Sequence, residues 1–141
     1  MLVKVSSKVV APVISYKKVR TLSELKLGNV VKYGMCFLNA ILMGLNLELD
    51  VESYECMVTA IVPFVENYDS LDVFVGWLEG SAELNESIII ALANYFQITI
   101  VIHFELDGYQ ERYAGEHTTQ TVHISNDGGR FQLGHHFELL R

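Results

Sequence analysis

The sequence predicts an α+β fold: a helical N-terminal half, whose central helix packs on a C-terminal, mainly antiparallel sheet. Three observations lead there. From Met35 to about Gln97 apolar residues recur at helical spacing, and after Gln97 the period switches from 3.6 to 2. Helices first and strands afterwards argue for segregated layers rather than alternating βαβ units. Half of the 141 residues are hydrophobic and only two are proline, enough to bury one core without disulfides, so residues 1–141 are expected to form a single domain.

Residues 1–20 carry Val3, Val5, Val9 and Val13 at near-alternate spacing, broken by Pro12, which predicts one or two short edge strands. Thr21 is placed to cap a short turn holding Leu22, Leu25 and Leu27, and Gly28-Asn29 then breaks the pattern. The run from Met35 through Met43 is apolar on every face, which predicts a buried central helix ended by Gly44 and Asn46. Asp50 is expected to cap a second helix reaching about Pro63, and Ser70 a short third one ending at Gly80. Ser81 is expected to open a fourth, with Leu84, Ile88, Leu92, Tyr95 and Phe96 in register. Residues 98–105 read as a strand, Asp107-Gly108 as a hairpin turn into residues 109–113, and residues 120–124 as a further strand. Asn126-Asp127-Gly128-Gly129 makes a second turn, and residues 130–140 supply closing strand material around His135-His136.

The formal charge is −7 and the nearest thing to a basic cluster is Lys17, Lys18 and Arg20. Counterion release needs clustered cations, so nucleic acid is not an expected partner, whereas a basic or neutral protein is. Cys36 and Cys56 form no disulfide framework, which suits a reducing, cytoplasmic setting. The N-terminus lacks the charged and apolar regions of a signal peptide. The longest apolar stretch, 88–104, is interrupted by Asn94, Gln97 and Thr99, so membrane insertion is not expected either.

Cys36 follows Gly34-Met35 at the predicted start of the buried helix. Unpaired N–H groups and a partial positive charge at a helix N-terminus favour thiolate over thiol. The same donors can hold the oxyanion of an acyl-transfer intermediate, and Gly34 permits close backbone approach. A free cysteine is more often a small buried hydrophobe, so the position alone decides nothing. Cys56, mid-helix among Tyr54, Met57 and Ala60, has no such activation and reads as a packing residue.

A thiol nucleophile needs a base, normally histidine. Of the five histidines, His103 lies in an apolar strand and reads as structural, His117 sits in a polar loop, and nothing marks His123. Adjacent His135 and His136 must point to opposite faces of the last strand. Glu138, two residues beyond His136, shares its face and could orient the imidazole, which singles out His136. Neither C-x-x-C nor H-E-x-x-H occurs, so no metal or other cofactor is expected.

Three stretches in order then resemble the ovarian-tumour (OTU) family of papain-like cysteine proteases, its compact viral members most. Gly34-Met35-Cys36-Phe37-Leu38-Asn39-Ala40 resembles the nucleophile block, residues 83–102 the helix-to-strand segment, and Gly134-His135-His136-Phe137-Glu138 the closing strand with its histidine and aromatic. The resemblance implies a papain-like fold and hydrolysis of peptide or isopeptide bonds after a glycine-rich tail, typically that of ubiquitin or a ubiquitin-like protein. It makes Cys36 the nucleophile, His136 the base and Glu138 the orienting residue. A viral member would also cut its own polyprotein and work in the host cytoplasm. Tyr33 stands where the family usually has an aspartate, which leaves oxyanion support to backbone N–H groups around Gly34, Met35 and Cys36, or to Asn29. A binding module that keeps the fold without cleaving, and an interaction protein with Cys36 in its core, are the rival readings.

Overall fold

The computed structural model describes residues 9–10, 18–19, 26–27, 30–31, 35–47, 51–66, 71–79, 82–106, 108–127 and 137–141. Four helices and eight strands lie among them, in two sheets. The strands are β1 (Val9–Val10), β2 (Lys18–Val19), β3 (Lys26–Leu27), β4 (Val30–Val31), β5 (Ile98–Phe104), β6 (Tyr109–Ala114), β7 (Gln120–Asn126) and β8 (Phe137–Leu140). The helices are α1 (Met35–Gly44), α2 (Val51–Glu66), α3 (Leu71–Glu79) and α4 (Glu86–Phe96). The α+β class expected from the sequence is the one observed.

The main sheet runs β1-β6-β5-β7-β8-β2, so the two short N-terminal strands occupy its opposite edges. Four of its pairings are antiparallel, but the central β5–β7 pair is parallel. The reason is the short link between β6 and β7. β6 returns alongside β5 and ends level with its start, with Ala114 opposite Thr99. Residues 115–119 cross that end, so β7 begins beside Ile98 and runs with β5. The crossing is tight: Gly115 N–H donates to the Ile98 carbonyl (3.1 Å) and Thr119 N–H to that of Gln97 (2.8 Å). A Cβ built on Gly115 would stand 2.5 Å from the Ala93 carbonyl oxygen.

β3 and β4 pair Lys26 with Val31 and Leu27 with Val30 as a separate two-stranded sheet. Leu27 therefore belongs to a strand rather than to the short turn expected there, and residues 21–25 lie outside the described ones.

Helices and sheet meet over one core. α1 packs on β7 and β8, and α4 on β5 and β6. Pleating sends Phe137 and Leu139 of β8 toward α1, where Phe137 meets Phe37 edge-on at 5.0 Å and Leu139 lies close to Gly44. Phe37, Ile41, Ile61, Ile88, Leu92, Ile98 and Phe104 are fully buried there. Phe74, Trp77 and Tyr113 are buried too.

Two helix boundaries differ from expectation. α2 continues past Pro63 to Glu66. The bond a proline removes would run to the carbonyl four residues back, on Thr59, and both residues are exposed, so water can serve that oxygen. α4 begins at Glu86, not at Ser81, because Asn85 is the stronger cap: extended itself, it accepts the Ile88 N–H on Oδ1 at 2.9 Å. At the other end Gln97, at φ 55°, closes α4 in the left-handed conformation. Among the described residues no helix is long and apolar enough to cross a membrane.

Candidate functional site

Cys36 is the second residue of α1, 9% exposed, with its sulfur against the end of β8. Burial pushes the thiol above its ordinary value, and the Asp127 carboxylate adds to that push. The backbone N–H groups of Phe137, Phe37 and Cys36 itself bond the sulfur and pull the other way without prevailing. The expected preference for thiolate is thus overturned in the resting site. The helix-terminus donors are present, but loss of water costs the anion more than they return. α1 has no charged residue of its own to offset this.

The Phe137 N–H is the informative donor. Phe137 follows His136 directly in the chain, so the peptide nitrogen beside the sulfur is the one bonded to the His136 carbonyl carbon. His135, His136, Gly34, Asn29 and Tyr33 lie outside the described residues, and Met35 is the first residue of α1. Glu138 is paired with Ser125 across the β7–β8 ladder. It lies one residue from both Phe137 and Leu139, so it projects from the sheet face opposite α1.

Asp127 is the acid whose charge adds to the push on the Cys36 thiol. It follows Asn126, the partner of Phe137 and the last residue of β7. The sequence shows it only as part of a turn.

The structural role expected for His103 is met with a partner the sequence did not reveal. His103 Nε2 and His123 Nδ1 are 2.9 Å apart, bridging the parallel strands β5 and β7. Burial, reinforced by His123, lowers His103 to about 4. Burial and the Arg112 cation also lower His123. Cys56 departs from its reading as a packing residue. It is exposed, because the buried stripe of α2 is Tyr54, Met57, Ile61 and Val65. It lines an open groove of about 920 Å³ with Leu45, Leu47, Met57, Tyr95 and Phe96, at the end of α1 remote from Cys36. Among the described residues no three His, Cys, Asp or Glu side chains come together as a metal site.

The molecule these elements define is an α+β protein with a mixed central sheet and a buried thiol at the start of its central helix. No protein-family model, curated protein or solved structure matches the chain.

Proposed function

We propose that the chain is a cysteine peptidase of OTU-like type that hydrolyses peptide or isopeptide bonds after a glycine-rich tail, with ubiquitin or a ubiquitin-like protein as the preferred substrate. The observation that carries this reading is the edge-on contact, at 5.0 Å, between Phe37, the neighbour of Cys36, and Phe137, the neighbour of His136 in the chain. It joins the start of the central helix to the residue after His136, the two segments that a thiol–imidazole pair requires.

Because burial holds the thiol protonated at rest, His136 serves as a true general base. It takes the proton from Sγ as sulfur attacks the carbonyl carbon. The tetrahedral oxyanion is met by backbone N–H groups at the start of α1, and the imidazolium returns its proton to the departing amine. The acyl-enzyme is then cleaved by a water that His136 deprotonates. For the orienting carboxylate the sequence offers Glu138. A polyprotein junction with a glycine-rich tail meets the same chemical requirement and is a second substrate of this reading.

The test is a ubiquitin probe with a thiol-reactive C-terminus, read by intact mass. A one-ubiquitin adduct is expected, absent in Cys36→Ala and slowed in His136→Ala. The non-catalytic binding module is favoured by one observation, the 9% exposure of Cys36. Ubiquitin binding without adduct, together with a Cys36 inert to small alkylating reagents, would establish it instead.

A further inference from the structure

The 10 lysines and arginines of the chain all lie at or before Lys32 or at or after Arg112, while most of its 17 acidic residues fall between. The four helices come from that interval, so none carries a lysine or arginine of its own. An acidic surface alone is ordinarily a solvated face. Here it borders an apolar opening, the groove of about 920 Å³ at the end of α1 remote from Cys36. One wall is α2 from Glu52 to Ala60, about 12 Å at 1.5 Å per residue. A second is the last turn of α4, where Tyr95 stands edge-on to Phe64 at 5.7 Å and to Phe96 at 4.9 Å, a braced aromatic surface. Asn46, left-handed at φ 57°, turns the chain out of α1, and the Leu47 N–H reaches back to the Leu42 carbonyl at 2.9 Å. That turn fixes Leu45 and Leu47 as the remaining apolar lining, and Leu47 stays 43% exposed.

We propose that this groove docks a basic amphipathic helix of a partner protein, with apolar side chains against Leu45, Leu47, Tyr95 and Phe96 and a lysine or arginine over Glu52. Two features call for a cation there. α1 and α4 both end at the groove, and neither supplies a basic residue in its last turn to meet the partial negative charge of a helix C-terminus. Arg141 meets part of it at α1, donating to the Met43 carbonyl at 2.7 Å and to Asn46 Oδ1 at 3.2 Å, but it is not one of the groove's walls. Glu52 is exposed at the rim, and Glu55 on the same helix is exposed as well. A lone cation would leave the apolar walls in water, and a neutral apolar segment would leave Glu52 unmatched. A basic amphipathic helix answers both, and the α2 wall is long enough for about two of its turns. Cys36 takes no part, so the docking site stands whether or not the chain is a peptidase.

Cys56 is an exposed residue of the groove, so its alkylation reports an occupant directly. The experiment follows iodoacetamide labelling of the full chain by mass spectrometry after cleavage at glutamate, which separates Cys56 from Cys36. The probe is a synthetic helical peptide with leucine on one face and lysine on the other. Labelling of Cys56 should slow saturably, about tenfold with the probe at about ten times its Kd, while that of Cys36 is unchanged. Counterparts with glutamate in place of lysine, or serine in place of leucine, should give no protection. Glu52→Lys should weaken the probe about threefold to tenfold, more at low salt than at high. Ala60→Trp, which fills the groove from an exposed position, should abolish protection. Unchanged Cys36 labelling in both variants shows the fold intact. No protection at about millimolar probe, or equal protection by the glutamate counterpart, overturns the proposal. Protection of Cys36 instead places the probe at the other end of α1 and overturns it too. If Cys56 becomes protected without probe as protein concentration rises, with a doubled mass in solution, the occupant is a second copy and the basic partner is ruled out.

Discussion

His103 and His123 share one hydrogen bond of 2.9 Å inside the sheet, and protonating either ring alters it. His103 titrates in the fold at about 4, against an ordinary value of 6.5. Between those values the unfolded chain holds the proton and the folded chain does not, so stability is complete above about pH 6.5 and drains away as the pH falls toward 4. The shift corresponds to a loss on the order of 3 kcal/mol at the acid end. Urea melts across that window should show the midpoint falling with pH, and His103→Asn should flatten the slope whatever its own stability. A flat profile for the native chain would exclude a buried neutral pair. The buried character of His103 was legible from its apolar strand, but its partner was not, because nothing local in a sequence records how two strands are offset. The place of Cys36 at the start of a buried helix was legible for the opposite reason: it rests on neighbours in the chain.

At the scale of elements, the link from β6 to β7 is the most constrained piece of backbone. A methyl group on Gly115 would meet main chain, the Ala93 carbonyl, rather than a side chain able to swing aside. Gly115→Ala should therefore cost about 1–3 kcal/mol, the range for overfilling a packed site. Thermal denaturation would read this as a clear fall in Tm. Gly44→Ala is the useful contrast, since its nearest neighbour is the Val122 side chain at 2.8 Å, which has some room to turn. A Gly115→Ala protein as stable as the native chain would mean that the loop does not cross α4 this closely. Periodicity made the four helices and the strands β5 to β7 readable. The start of α4 was not, because Ser81 and Asn85 are both competent caps. Burial of Leu84 just before Asn85, together with Ile89, places the entry at the later one, as a hydrophobic staple does.

For the whole molecule, the consequential feature is that both sheet edges are closed by chain from the first twenty residues: β1 on β6 and β2 on β8. Removing residues 1–20 would uncover two rows of unpaired N–H and C=O groups, which recruit other strands. Light scattering at rising concentration should show the truncated chain associating where the full chain does not, and a monodisperse truncated protein would count against these edge pairings. The α+β class was readable because a change of period is a property of the chain itself. Strand order and the parallel central pair depend on how short a crossing residues 115–119 can make, which only the folded backbone reveals.

The bond between Phe137 N–H and the Cys36 sulfur also sets a clock. Its partners are separated by about 100 residues, so a ribosome adding about 5–20 residues each second delivers the thiol some 5–20 s before the amide that engages it. Arg141, whose guanidinium donates to the Met43 carbonyl at 2.7 Å, arrives later still and fastens the far end of the same helix. The Cys36 thiol thus waits without its β8 neighbour while the residues between them are made.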